Sequence, residues 1–241
     1  MGFDQRIMLH HLDYTAMQSK RYPRKEMYSV LDGYMRDDIA GAKSRKNAIT
    51  MLIKIWYLVD DNLMPLRDQI LDEFNKFNQE ERLLVHWGMT MAAYPFFKDV
   101  AHELGRLFQL QDTVTSKSIG QRMKSSYGNR RRVEVATSAV LSSMRSWEII
   151  VPAKGRTNGK GKPIVITNPI LQSFYIQVLL RLIGNNSIQM EVVQNHPLFF
   201  PFDFDLDMLE LREDKSLTFF NQGIDDLVVE KNAAYEPYSL R

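Results

Sequence analysis

The stretch from Thr115 to Thr167 constrains the fold of this chain more than any other, because apolar periodicity, turn residues and charge change together along it. Its pattern predicts a short helix over SKSIGQRMKSSYG, a turn, and a longer amphipathic helix over RRVEVATSAVLSSMRSW. In the longer helix an apolar stripe recurs every three or four residues, the spacing of one buried helical face. Its members are Val133, Ala136, Val140, Met144 and Trp147. Two β-branched runs, EIIVP and KPIVIT, then flank the loop AKGRTNGKG, which predicts a hairpin with a charged tip.

The same stretch is strongly basic, although the whole chain has a formal charge of only +2. From Asp112 to Val165, eleven cations stand against three acids, a net charge of +8. From Met190 to Arg241, four cations stand against eleven acids, a net charge of −7. Segregated charge of this kind indicates an anionic partner for the middle of the chain and a solvated, or basic-partner-facing, surface at its acidic end.

The basic stretch is the most specific functional signal in the sequence. In a helix-turn-helix with a wing, the second helix enters the major groove and surrounding cations neutralise phosphates. Backbone N–H groups at the start of that helix also favour an anion. The candidate nucleic-acid-binding residues are Lys117, Lys124, Arg130, Arg131, Arg132, Ser138, Ser142, Arg145, Lys154, Arg156, Lys160 and Lys162. We expect mainly backbone binding, with limited base readout through Arg131 and Arg145.

Periodicity outside this stretch predicts a mainly α (α+β) protein. Residues 1–110 are expected to form a helical bundle of about five helices, and 111–167 the basic unit. Residues 168–241 are expected to form an apolar helix followed by an acidic, β-containing region, in which FPFDFDLDMLELR alternates apolar with acidic residues and SLTFF and DLVV are further short strands. The last residues, AAYEPYSLR, are predicted to be a loosely held terminus.

Two helix boundaries in these regions carry strong local signals. Asn78 with Glu81 has the spacing of a capping box. Asn168 before Pro169 is a typical N-cap and first-turn pair, and Gly184 is expected to end the same helix.

Residues 115 to 167 resemble the winged-helix superfamily, with SKSIGQRMKSSYG as the supporting helix, RRVEVATSAVLSSMRSW as the recognition helix and EIIVPAKGRTNGKGKPIVIT as the wing. A helical bundle followed by such a unit is also similar to the small accessory DNA-binding subunit of BREX-type bacterial phage-defence systems. The resemblance implies an N-terminal bundle, a winged helix and a small C-terminal α/β appendage. It also implies a non-enzymatic subunit that acts on double-stranded DNA together with other protein subunits.

The residues leave a second interpretation open, in which the basic unit and the acidic end are docking surfaces of a protein-protein adaptor. Winged-helix folds serve both purposes, so the fold does not decide between them. The sequence also leaves open whether the nucleic acid is DNA or RNA.

No catalytic motif is recognisable, and we expect no cofactor and no metal. Asp203, Asp205 and Asp207 alternate with apolar residues, so on a strand they would share one face that could hold a hard cation, although such a face is more often only solvated. His10 and His11 are adjacent, and their side chains are expected to diverge, which makes a poor metal clamp.

The absence of cysteine excludes disulfides and thiolate sites and fits a reducing compartment, so we expect a cytoplasmic protein. The most apolar runs, TMLIKIWYLV and FYIQVLLRLI, are interrupted by Lys54 and Arg181 and are too short to span a bilayer. Membrane insertion is therefore not expected.

Overall fold

The computed structural model describes residues 2–222 and 226–232, and these form a mainly α (α+β) protein. The terminal segment AAYEPYSLR, predicted to be loosely held, lies outside the described residues. The helices are α1 (Leu9–Gln18), α2 (Arg24–Tyr34), α3 (Ala42–Trp56), α4 (Met64–Glu73), α5 (Gln79–Ala93), α6 (Pro95–Phe108), α7 (Ser116–Tyr127), α8 (Arg131–Ser146), α9 (Pro169–Ile183), α10 (Met190–Gln194) and α11 (Met208–Glu213). The strands are β1 (Thr113–Thr115), β2 (Ile150–Ala153), β3 (Thr157–Lys160), β4 (Ile164–Ile166), β5 (Ser187–Gln189), β6 (Phe202–Phe204), β7 (Leu217–Gln222) and β8 (Asp226–Lys231).

The predicted helix boundaries with strong local signals are confirmed. Glu81 N donates to Asn78 Oδ1 at 3.0 Å and Asn78 N donates to Glu81 Oε2 at 2.9 Å, so the capping box opens α5. At α9, Ile170 N donates to Asn168 Oδ1 at 3.1 Å, and Gly184 ends the helix in the left-handed conformation at φ 72°.

Helix α5 lies at the centre of the molecule and packs on α1, α3, α6 and α9. Every residue from Leu83 to Met91 is buried, which explains why its apolar residues are not confined to one stripe. Helix α6 approaches the turn at Pro197 so closely that a Cβ on Gly105 would lie 2.0 Å from the Pro197 carbonyl oxygen, and only glycine fits there. Among the described residues, no helix has the length and apolar character that crossing a membrane requires.

The basic stretch forms a three-stranded antiparallel sheet, in the order β1-β3-β2, with α7 and α8 between its first two strands along the chain. The predicted return strand of the hairpin is wrong: TNGK, inside the predicted loop, forms β3, whereas β4 within KPIVIT pairs in parallel with β6. The reason is tertiary. The Asn158 side chain is buried and Nδ2 donates to the Val114 carbonyl oxygen at 3.1 Å, while a Cβ on Gly161 would lie 1.9 Å from the Glu148 carbonyl oxygen.

A second three-stranded antiparallel sheet has the same strand order. Helix α9 leads into β5, then α10, β6 and α11 follow, and β7 and β8 complete a sheet in the order β5-β8-β7, while β6 pairs with β4. In both sheets the third strand along the chain lies between the first and the second. The predicted strands over SLTFF and DLVV are confirmed as parts of β7 and β8.

The three aspartates of the acidic region do not share one strand face. Strand β6 ends at Phe204, and Asp207 instead caps α11, where Oδ1 accepts hydrogen bonds from Leu209 N at 3.0 Å and Glu210 N at 3.2 Å. Within the described part of the chain, these carboxylates form no group with metal-ligand spacing. The strand-face arrangement considered for a hard cation is therefore wrong.

The expected divergence of His10 and His11 is also wrong. Both lie in the first turn of α1, their ring centroids are 4.3 Å apart, and both Nε2 atoms are hydrogen-bonded to Asp38 Oδ2. Rotation of the side chains towards one acceptor overcomes the angular separation that successive residues have on a helix.

Candidate nucleic-acid interface

Helix α8 presents one buried and one open face. The predicted apolar stripe is confirmed, since Val133, Ala136, Val140, Met144 and Trp147 are all buried. Ile7 N donates to Ser143 Oγ at 3.0 Å, and Trp147 Nε1 donates to the Ile7 carbonyl oxygen at 2.9 Å. These contacts attach the inner side of α8 to the N-terminal segment, and on its outer side Arg131, Val135 and Ser138 are exposed among the described residues.

The outer face of α8 carries small and uncharged side chains beyond its first turn. Ser138 is exposed and Ser142 is half-buried, and they lie on the same face as Arg131 because four and seven residues separate neighbours on a helix face. Val135 completes this face with 37% of its surface exposed. Sequence reasoning did not assign Val135, although its position between Arg131 and Ser138 in the helical period could have identified it.

Arg145 is held inside the unit. Its Nε donates to Asn158 Oδ1 at 2.9 Å and its Nη2 donates to Ser116 Oγ at 2.7 Å. The guanidinium therefore links the end of α8 to β3 and to the start of α7, and burial lowers its pKa. Asn158, which the sequence did not single out, is the centre of this network.

Glu134 forms ion pairs with two of the predicted cations. Its carboxylate lies 2.5 Å from Lys124 Nζ and 3.3 Å from Arg131 Nη1. The hydrogen bond from Lys124 is the main cause of a lowered pKa at Glu134, so the carboxylate is ionised at neutral pH. Arg130 turns back along the chain, where Nη2 donates to the Tyr127 carbonyl oxygen at 2.9 Å.

The tip of the hairpin between β2 and β3 is a tight turn over Lys154–Arg156. Gly155 has φ 72° and Arg156 has φ 59°, so two successive residues adopt the left-handed conformation and both cationic side chains are exposed. Lys160 lies on the strand below the tip, where Nζ is 5.9 Å from the centroid of the Phe108 ring. The charged tip is thus smaller than the predicted loop.

Five of the predicted cations are exposed, and their side chains form no ion pair, hydrogen bond or ring contact with any described residue. They are Lys117 on α7, Arg132 at the start of α8, Lys154 and Arg156 at the hairpin tip, and Lys162 after β3. The Arg145 network joins the end of α8 to the start of α7 and to β3, whereas Arg132 lies in the first turn of α8, so a ligand that contacts all of these cations must extend along α8.

A comparison of the chain with known protein families, with curated proteins and with solved structures finds no significant match. The assignment of a function therefore depends on the geometry and charge of the chain itself.

Proposed function

We propose that this chain is a non-catalytic subunit that binds double-stranded DNA, mainly through the duplex backbone, and that β1, α7, α8, β2 and β3 act as a basic winged helix. The order of elements supports this proposal, since a helix-turn-helix followed by a hairpin is the arrangement that places the second helix in the major groove and the hairpin against the backbone. Helix α8 would be the recognition helix and Lys154–Arg156 the tip of the wing.

The observation that carries the proposal is that exposed, unpaired cations lie on α7, on α8 and at the hairpin of one unit, and that α8 has an exposed face of small residues. Cations that already neutralise acids offer little to a phosphate, whereas Lys117, Arg132 and Lys154 have no acidic partner among the described residues. Ser138 and Ser142 allow close approach of a duplex to α8 and specify little, which favours backbone contacts over base readout.

The salt dependence of binding tests this proposal quantitatively. If the five unpaired cations each neutralise one phosphate, the logarithm of the association constant should fall with the logarithm of salt concentration with a slope of about −4.5. Fluorescence anisotropy with a labelled duplex of arbitrary sequence would measure this slope. Absence of duplex binding at low salt would overturn the proposal. Tighter binding to RNA of the same sequence would show that RNA, not DNA, is the preferred nucleic acid.

A second candidate function is protein docking. It is favoured by the acidic region from β5 to β8, which contains the second three-stranded sheet and is called the acidic repeat below. Helix α11 takes the position along the chain that α8 has in the basic unit, but its surroundings are acidic and Leu209 is 81% exposed. An exposed leucine among acids is typical of a surface that another protein covers.

The two candidates are compatible if the chain is a subunit of a larger assembly, and the resemblance to the BREX accessory subunit suggests the enzymes of a phage-defence system as its partners. In that arrangement the basic unit binds DNA and the acidic repeat binds a basic protein surface. Purified protein that carries nucleic acid has a raised ratio of absorbance at 260 nm to 280 nm, whereas a pure adaptor does not.

A further inference from the structure

We propose that His10, His11 and Asp38 form a binding site for one divalent transition-metal ion, and that Zn²⁺ is the ion that these ligands favour. Nothing in the DNA-binding role requires this site, which lies on α1 and on the connection between α2 and α3. Imidazole nitrogen and carboxylate oxygen together are the donors that protein-bound Zn²⁺ prefers.

The three donor atoms already converge. Asp38 Oδ2 lies 2.8 Å from His10 Nε2 and 2.9 Å from His11 Nε2, and all the ligand atoms lie within 4.8 Å of one another. Ligand atoms around a tetrahedral zinc ion are about 3.3 Å apart, since Zn–N and Zn–O bonds are each about 2.0–2.2 Å. To hold a tetrahedral ion, Asp38 Oδ2 must move about half an ångström away from each imidazole nitrogen, and the two imidazole nitrogens, which lie within 4.8 Å of each other, must approach to about the same 3.3 Å.

The fold fixes two parts of this site before any ion binds. His11 is fully buried, and its ring lies edge-on to Tyr34 with centroids 6.3 Å apart. Burial therefore holds the His11 imidazole in place, with Nε2 towards Asp38 Oδ2 at 2.9 Å. Asp38 Oδ2 is in turn held between the two imidazoles by its hydrogen bonds to both Nε2 atoms.

The other side of the site is open to solvent. The side chains of His10 and Asp38 are 46% and 43% exposed, so an ion can enter and water can occupy a fourth coordination position. The buried pair of His86 and Asp13, with Nε2 and Oδ1 2.9 Å apart, has the same hydrogen bond. That pair has no second imidazole, and it is less exposed to solvent than His10 and Asp38. In the described part of the chain, only the cluster of His10, His11 and Asp38 offers three ligands at metal spacing.

Titration with Zn²⁺ tests the site. Chelator-treated protein without a histidine tag is titrated against a chromophoric zinc chelator, and one ion per chain is expected to bind. Because loss of even an outer-shell partner weakens metal affinity about 10–100-fold, His10→Ala and Asp38→Asn should each weaken binding by at least about tenfold. Asp37→Asn, which changes the neighbouring exposed carboxylate in the same way, should leave it unchanged.

Because His10 and Asp38 are partly exposed, both variants are expected to fold, and circular dichroism checks this. If Asp38→Asn unfolds the protein, His10→Ala alone decides. Stoichiometric binding that both ligand variants weaken and Asp37→Asn does not would support the site. No binding by the unaltered protein at micromolar Zn²⁺, or equal affinity in His10→Ala, would overturn it.

Discussion

Arg145 is hydrogen-bonded to Asn158 across the interior of the basic unit, with Nε 2.9 Å from Oδ1. The same guanidinium also contacts Ser116, so one side chain joins α7, α8 and β3. The side chain that sequence alone suggests for base readout thus has a structural contact that fixes the hairpin against α8.

We predict that Arg145→Ala destabilises the protein by about 1–3 kcal/mol, because it leaves Oδ1 of the buried Asn158 without its hydrogen-bond donor. Urea denaturation followed by circular dichroism measures this loss. Arg132→Ala is the matched control, since Arg132 is exposed and forms no ion pair within the described residues. If Arg145→Ala kept full stability but reduced the salt slope of duplex binding by about one unit, Arg145 would be a phosphate contact after all.

Glu134 restrains DNA binding in this account, because it neutralises Lys124 and Arg131 and lies beside the outer face of α8. Glu134→Gln removes the negative charge and frees both cations. We predict tighter duplex binding and a salt slope that steepens by about two units, because each of the two freed cations adds about 0.9 if it contacts one phosphate. Anisotropy compares this variant with Glu26→Gln, which removes an exposed acid from α2, outside the basic unit. Weaker or unchanged binding in Glu134→Gln would exclude the proposed orientation of α8.

We predict that His196 makes the protein less stable to unfolding in mild acid. Burial is the main cause that lowers the pKa of His196 to about 4, with His102 adding to it, and Nδ1 accepts a hydrogen bond from Leu198 N at 3.3 Å. Because the unfolded chain binds this proton near its ordinary pKa of about 6.5, the unfolded state gains protons first as pH falls. His196 therefore stabilises the fold above about pH 6.5, and this contribution is lost as pH falls towards 4.

Thermal unfolding measured between about pH 7.5 and pH 5 tests this prediction. The Tm of the unaltered protein should fall across that interval. The Tm of the His196→Asn variant, which keeps a side-chain acceptor for Leu198 N, should fall less. Equal slopes of Tm against pH in the two proteins would show that His196 does not carry the effect.

The features that sequence predicts correctly are local. The capping box of Asn78 and Glu81 and the Asn168 cap of α9 depend on residues within one helical turn, so their spacing is sufficient. The buried stripe of α8 is predictable for the same reason, because the helical period alone determines which of its residues share a face.

The features that sequence misses depend on distant partners. TNGK has no strand character of its own, and it forms β3 because Asn158 bonds to the Val114 carbonyl and to Arg145. The convergence of His10 and His11 depends on Asp38, which lies on another element. The repeated sheet order is visible only once strand pairing is known.

Charge reversal at the hairpin tip tests whether the basic unit binds DNA. Lys154→Glu combined with Arg156→Glu changes two exposed side chains and no buried contact, and Lys43→Glu combined with Lys46→Glu makes the same change of charge on exposed residues of α3. Anisotropy across a salt series compares both double variants with the unaltered protein. We predict weaker duplex binding and a salt slope reduced by about two units in the tip variant only, because each lost phosphate contact removes about 0.9. Equal binding by the tip variant and the α3 variant would contradict DNA binding through this wing.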